Sequence, residues 1–197
     1  MNKLILLGQT CNVTFATKKL KINKESGIFE WVFSIDFDDI IYLLENKFQD
    51  IDVENKGGGN VKIKNTDIFT SHYKLEEYRE IVKRRSARFL EDIKSGKEIL
   101  FMRIEFMKFI TLEQVERFNK AILDINPDCK FKFLIVRHTN DVFENEVKHE
   151  IVINKRLTKN SVTELEENKE DIDWLEGILK ECNFTYEKID ETYGDKN

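Results

Sequence analysis

The chain has 197 residues, 41% hydrophobic and 35% charged, a balance that supports a sizeable folded core and excludes a disordered or fibrous segment. A formal charge of −5 argues against non-specific nucleic-acid binding, whose affinity comes mainly from phosphate neutralisation. Three widely spaced cysteines, Cys11, Cys129 and Cys182, without a C-x-x-C pair argue against a disulfide framework or zinc knuckle and point to a reducing cytoplasm.

No apolar run approaches the ~20 residues of a membrane span. The apolar core Leu4 to Leu7 is shorter than the ~7–15 residues of a signal peptide, and no small-residue cleavage site follows it. KLILL, residues 3–7, therefore reads as a buried first strand. Thr10 is placed to cap a helix running to about Leu20, with Val13, Ala16 and Leu20 on one face. ESGIFEWVFS, 25–34, is aromatic and irregular. If extended, it puts Phe29, Trp31 and Phe33 on one side and leaves Ser34 as a cap for the next helix. Asp36 opens that helix, striped by Phe37, Ile41, Leu44 and Phe48.

NKGGGN, 55–60, lacks the lysine-serine ending of a phosphate loop and reads as a hairpin tip or a flexible excursion around 53–66. Residues 61–73 suggest one or two short strands leading to His72, and a long helix spans Lys74 to Ser95, stopped by Gly96. EILFMRIEF, 98–106, has the two-faced apolarity of a central strand. Thr111 and Gln114 form a capping box for a helix ended by Pro127. FKFLIV, 131–136, and HEIVI, 149–153, are further buried strands. Ser161 starts a final helix bearing Leu165, Ile172, Leu175 and Leu179, and FTYEKI, 184–189, suits an edge strand. The alternation predicts a single three-layer α/β domain over 1–197, with a mostly parallel, Rossmann-like central sheet and helices on both faces.

Cys11 stands where a strand gives way to a helix. The partial positive charge and unpaired N–H groups there favour thiolate over thiol and suit a developing oxyanion. The competing reading is plain packing, since free cysteine is among the most buried residue types. A thiolate needs a base, and the chain has three histidines. His72 and His138 both follow strand-like segments, and spacing does not choose between them; His149 falls at a strand start. No cluster has metal-ligand spacing, so no metal or cofactor is expected.

Arg85 interrupts the apolar stripe Leu75, Tyr78, Val82, Phe89 and Ile93, with Arg88 beside it. Arg103 shares a strand face with Ile99 and Phe101, and Glu105 follows on that face. Inward arginines mean either a paired ion network or a pocket for an anionic ligand. Lys83 and Arg84 read as solvated charges, and Trp31 as a core residue or a ligand platform.

Together these motifs resemble a papain-like cysteine peptidase family of bacteria and viruses. The resemblance rests on LGQTC with Cys11, SGIFEW with Trp31, TSHY with His72, RRSARF with Arg85 and Arg88, and LFMR with Arg103, in that order. Glu30 and Ile28 depart from the Asp and Pro common in the family. The resemblance implies a cysteine-dependent hydrolase or acyl transferase acting on a small-molecule or peptide substrate. It selects His72 as base and leaves Glu105, Asp67 or Asn140 as orienting partners. It also implies substrate-side roles for Gln9, as an oxyanion donor, and for Trp31, Arg85, Arg88 and Arg103. Two other readings stay open. One is a non-catalytic module binding an anionic sugar or nucleotide through the arginines; the other is a structural polar cluster. Neither nucleic acid nor membrane is an expected partner.

Overall fold

The computed structural model describes residues 2–22, 25–137, 150–154, 169–186 and 188–189. Their elements run β1 (Lys3–Leu6), α1 (Asn12–Lys19), α2 (Phe37–Glu45), β2 (Val53–Gly57), β3 (Asn60–Ile63), β4 (Phe69–Thr70), α3 (Leu75–Lys94), β5 (Ile99–Glu105), α4 (Leu112–Ile125), β6 (Phe131–Arg137), β7 (Glu150–Asn154) and α5 (Lys169–Glu181). The fold is mixed α/β. A four-stranded parallel sheet has the order β1-β5-β6-β7, and β2, β3 and β4 form a separate antiparallel sheet.

Alternation along each parallel strand sorts side chains into two cores. Ile5, Leu7, Ile99, Phe101, Phe131, Phe133 and Ile135 join α2, α3 and α4 in one. Leu4, Leu6, Leu100, Met102, Ile104, Leu134 and Val136 join α1 and α5 in the other. The first is aromatic at its centre. Phe118 meets Phe133 at 4.9 Å and Phe101 at 5.2 Å, and Phe37 lies 5.5 Å from Phe118. The described strands progress across the sheet in one direction, without the reversal of a doubly wound order. Among the described strands β1 lies at the edge.

The stretch read as a hairpin tip or flexible excursion forms the β2–β3 hairpin, whose Gly57, Gly58 and Gly59 all take positive φ at the turn. Asp36, not Ser34, caps α2, its side chain accepting from Asp38 N at 3.2 Å. Phe48 is buried but lies beyond α2 in a left-handed conformation. Cys11 occupies the cap position of α1, not Thr10, and its side chain makes no capping hydrogen bond. The Thr111–Gln114 capping box is formed as expected. The described part of 184–189 is not a strand, and Ile189 N donates to Lys21 O at 3.0 Å. The predicted helix start at Ser161 and its Leu165 lie outside the described residues. Among the described residues no helix is long and apolar enough to cross a membrane.

Candidate active site

Cys11 follows the C-terminal end of β1 after a tight turn through Gly8. A Cβ on Gly8 would come within 2.8 Å of Thr10 O and 3.0 Å of Phe29 O, so this close crossing of two backbones admits only glycine. His72 follows β4 on the antiparallel sheet. The two meet: Cys11 Sγ lies 3.7 Å from His72 Nε2.

Residues 31–34 hold the two halves in register. On one side Ser34 N donates to Gln9 O at 3.1 Å, and Ser34 Oγ donates to Gly8 O. On the other, Phe33 and Phe69 exchange backbone bonds of 2.7 and 3.1 Å, and Thr70 Oγ1 donates to Trp31 O at 2.7 Å. Thr70 Oγ1 also accepts from His72 N at 3.1 Å. One short segment thus spans from the cysteine turn to the histidine strand. Nothing in the local pattern announced Thr70, and Ser34 was read as a helix cap; partners this far away in sequence leave no local signal.

Trp31 forms the wall behind the imidazole. Its ring meets His72 edge-on with centroids 5.5 Å apart and Phe15 at 5.3 Å, and Lys18 Nζ sits 4.2 Å from its centroid. Trp31 Nε1 donates to Ser26 Oγ at 3.2 Å. Its φ of +65° is strained for a bulky side chain, the kind of outlier that a site imposes and its surroundings must maintain. The turn also overturns the extended reading of 25–34. Phe29 goes into the core against Phe89 at 5.8 Å, whereas Phe33 stacks on Phe69 at 4.9 Å.

The arginines hold structure in place. Arg85 donates to Gly27 O at 3.2 Å and Tyr73 Oη at 3.3 Å; Arg88 donates to Ser26 O and pairs with Glu25 at 3.0 Å. Both grip the loop that leads into Trp31. Arg103 is fully buried, and all five of its N–H donors have acceptors. They are Glu105 Oε1 (3.3 Å), Leu7 O (3.1 Å), Ser34 Oγ (3.4 Å), Ser34 O (2.8 Å) and Ile35 O (3.2 Å). This corrects the expectation of a ligand-binding Arg103: no donor remains for a substrate. Glu105 is shared with Arg137 at 2.9 Å and accepts from Ile110 N at 3.0 Å, so it pairs with arginines rather than orienting His72. Burial pushes Glu105 up and draws Arg103 down to about 10, with their mutual attraction opposing both shifts.

Gln9, cast as an oxyanion donor, is fully buried and engaged elsewhere. Its Oε1 accepts from Phe106 N at 2.7 Å and Met107 N at 2.9 Å, and its Nε2 donates to Lys108 O at 2.7 Å. Glu30 curls back to accept from Gly27 N at 2.6 Å; burial raises its carboxyl against the pull of Arg85, Arg88 and Lys18. Asp67 pairs with Lys56 at 3.9 Å. Among the described residues no carboxylate hydrogen-bonds the His72 ring. Asn140, His138 and His149 lie outside the described residues.

Burial pushes the Cys11 thiol up, against a smaller lowering by its own backbone N–H. Desolvation of the sulfur thus opposes the thiolate that the helix end was expected to favour. Cys129 and Cys182 are buried thiols pushed up to about 11. Among the described residues no group of three side chains is arranged to hold a metal ion.

No curated protein and no solved structure matches the chain. Residues 2–56, the stretch carrying Cys11 and Trp31 but ending before His72, match the model of the family described as "Putative papain-like cysteine peptidase (DUF1796)", the family its motifs resemble.

Proposed function

We propose that the protein is a cysteine-dependent hydrolase or acyl transferase in which Cys11 is the nucleophile and His72 the base. The observation that carries this reading is the 3.7 Å separation of Cys11 Sγ and His72 Nε2, at the start of α1 and beside an exposed imidazole. The family match over the cysteine-bearing segment supports the same class of chemistry.

His72 Nε2 faces the sulfur and serves as the acceptor of its proton. As the sulfur attacks a carbonyl carbon, its proton moves to Nε2 and a C–S bond forms. The carbonyl π electrons move onto oxygen, where the backbone N–H groups of the first turn of α1 stabilise the charge. Collapse of the tetrahedral species expels the leaving group, which takes the proton from imidazolium. Water or an amine, deprotonated by His72, then releases the acyl group from sulfur. Trp31 backs the ring, and the bond from His72 N to Thr70 Oγ1 fixes the backbone that carries it. They take the positioning role that a carboxylate fills in other sites.

The test is site-resolved alkylation with a chloroacetamide probe. Cys11 should react first, and Cys11→Ala should abolish turnover of any amide, ester or thioester substrate found by screening. Alkylation confined to Cys129 and Cys182 would refute the assignment. The alternative of an anion-binding module has less support, because the donors of Arg103 are consumed by the chain itself and those of Arg85 and Arg88 hold backbone carbonyls.

A further inference from the structure

A concavity lies outside the Cys11–His72 pair. A cavity of about 460 Å³ runs along the free edge of β1, lined by Leu4, Leu6, Ile22, Phe184 and Tyr186 on one side and by Arg85, Arg88 and Phe89 on the other. Neither Cys11 nor His72 lines it. Gly27, Ile28 and Glu30, on the loop leading into Trp31, also line it.

The backbone of β1 gives this cavity its chemistry. Lys3 N donates to Glu98 O, just before β5, at 3.2 Å, and Leu7 N donates to Met102 O of β5 at 2.7 Å. In a strand the N–H and C=O groups of successive residues alternate sides. Leu4 and Leu6 therefore direct theirs away from β5, toward the cavity, and among the described residues β1 pairs only with β5. An edge with unpaired donors and acceptors is a template for another strand, and proteins normally cover or blunt it.

We infer that this cavity binds an extended peptide segment, which adds to β1 as a fifth strand of the parallel sheet. The charges around the cavity are already matched: Arg88 with Glu25, Lys3 with Asp92, and Arg85 beside Glu30. The matched walls favour a segment without net charge, recognised through its backbone. Alternation directs one set of its side chains to Ile22, Phe184 and Tyr186, which selects apolar residues at every second position. The bound segment reaches the Gly27–Glu30 loop rather than the sulfur, so this site is distinct from the reaction proposed for Cys11 and does not depend on it.

The test uses the full chain, wild type and Cys11→Ala, with a fluorescein-labelled, end-blocked peptide of alternating Val and Thr. Its counterpart is the same peptide N-methylated at every second residue, in both registers. Anisotropy should show equal binding by the two proteins and at least a ten-fold loss for one N-methylated register. Amide exchange at Leu4 and Leu6 should slow on peptide addition, with Ile5 unchanged. Equal binding of peptide and N-methylated peptides, or no binding with exchange at Leu4 and Leu6 unaltered, overturns the inference. It is also overturned if those two amides are protected in the free protein and lose protection on truncation after Ile189, because the chain's own tail is then the added strand.

Discussion

Around Arg103 every donor and acceptor is spoken for. Its guanidinium satisfies five acceptors, and Glu105 joins it to Arg137 with both side chains almost wholly out of water. Around Cys11 the construction is the reverse. The sulfur has an exposed imidazole at 3.7 Å, the tryptophan behind that ring is held at φ +65°, and the α1 cap offers its first turn no side chain. Both clusters were candidates for chemistry in the sequence. A saturated polar cluster fixes geometry, whereas an unsaturated and strained one beside solvent is free to act on something else.

The contrast is broken most forcefully by Glu105→Ala. It leaves two buried guanidiniums without their counter-charge and should cost about 3–5 kcal/mol, measured as a shift in urea unfolding. A loss under about 1 kcal/mol would mean that the cluster is not the clamp described. His72→Ala should behave oppositely. The side chain is exposed, so stability should change by about 0.5 kcal/mol or less, while Cys11 alkylation slows on the order of 10²-fold.

The buried thiols sharpen the comparison through pH. Cys129 and Cys182 hold their protons to about 11 in the folded chain, against 9.0 for the unperturbed group. Between those values the unfolded state binds fewer protons than the folded one, so stability is intact below pH 9 and falls as pH rises toward 11. A urea midpoint that stays level across this window would contradict their burial. The smallest expected effect belongs to Thr70→Val, which removes bonds to Trp31 O and His72 N. A loss of about 1 kcal/mol should come with slower Cys11 alkylation, and Thr70→Ser should restore the rate.

Elements whose cause is local were legible in the sequence: the apolar run of β1, the stripe of α3, the Thr111–Gln114 box and the glycine turn at 57–59. Arg85 was legible as an inward charge because it breaks a periodic stripe. What it binds was not, since its acceptor Gly27 O lies 58 residues away. The same distance hid the partners of Arg103 and the Thr70 link. Short strands such as β4, with two residues, carry too little alternation to announce a separate antiparallel sheet. Trp31 looked like one residue of an extended run because its left-handed turn is imposed by contacts at Ser26, Thr70 and His72.

The most direct measurement is the rate of covalent labelling at each cysteine, resolved by mass spectrometry, in the wild type and in His72→Ala. The account predicts that Cys11 outpaces Cys129 and Cys182 in the wild type and loses most of that advantage when the imidazole is removed. Equal rates at all three thiols, or a Cys11 rate indifferent to His72, would contradict it.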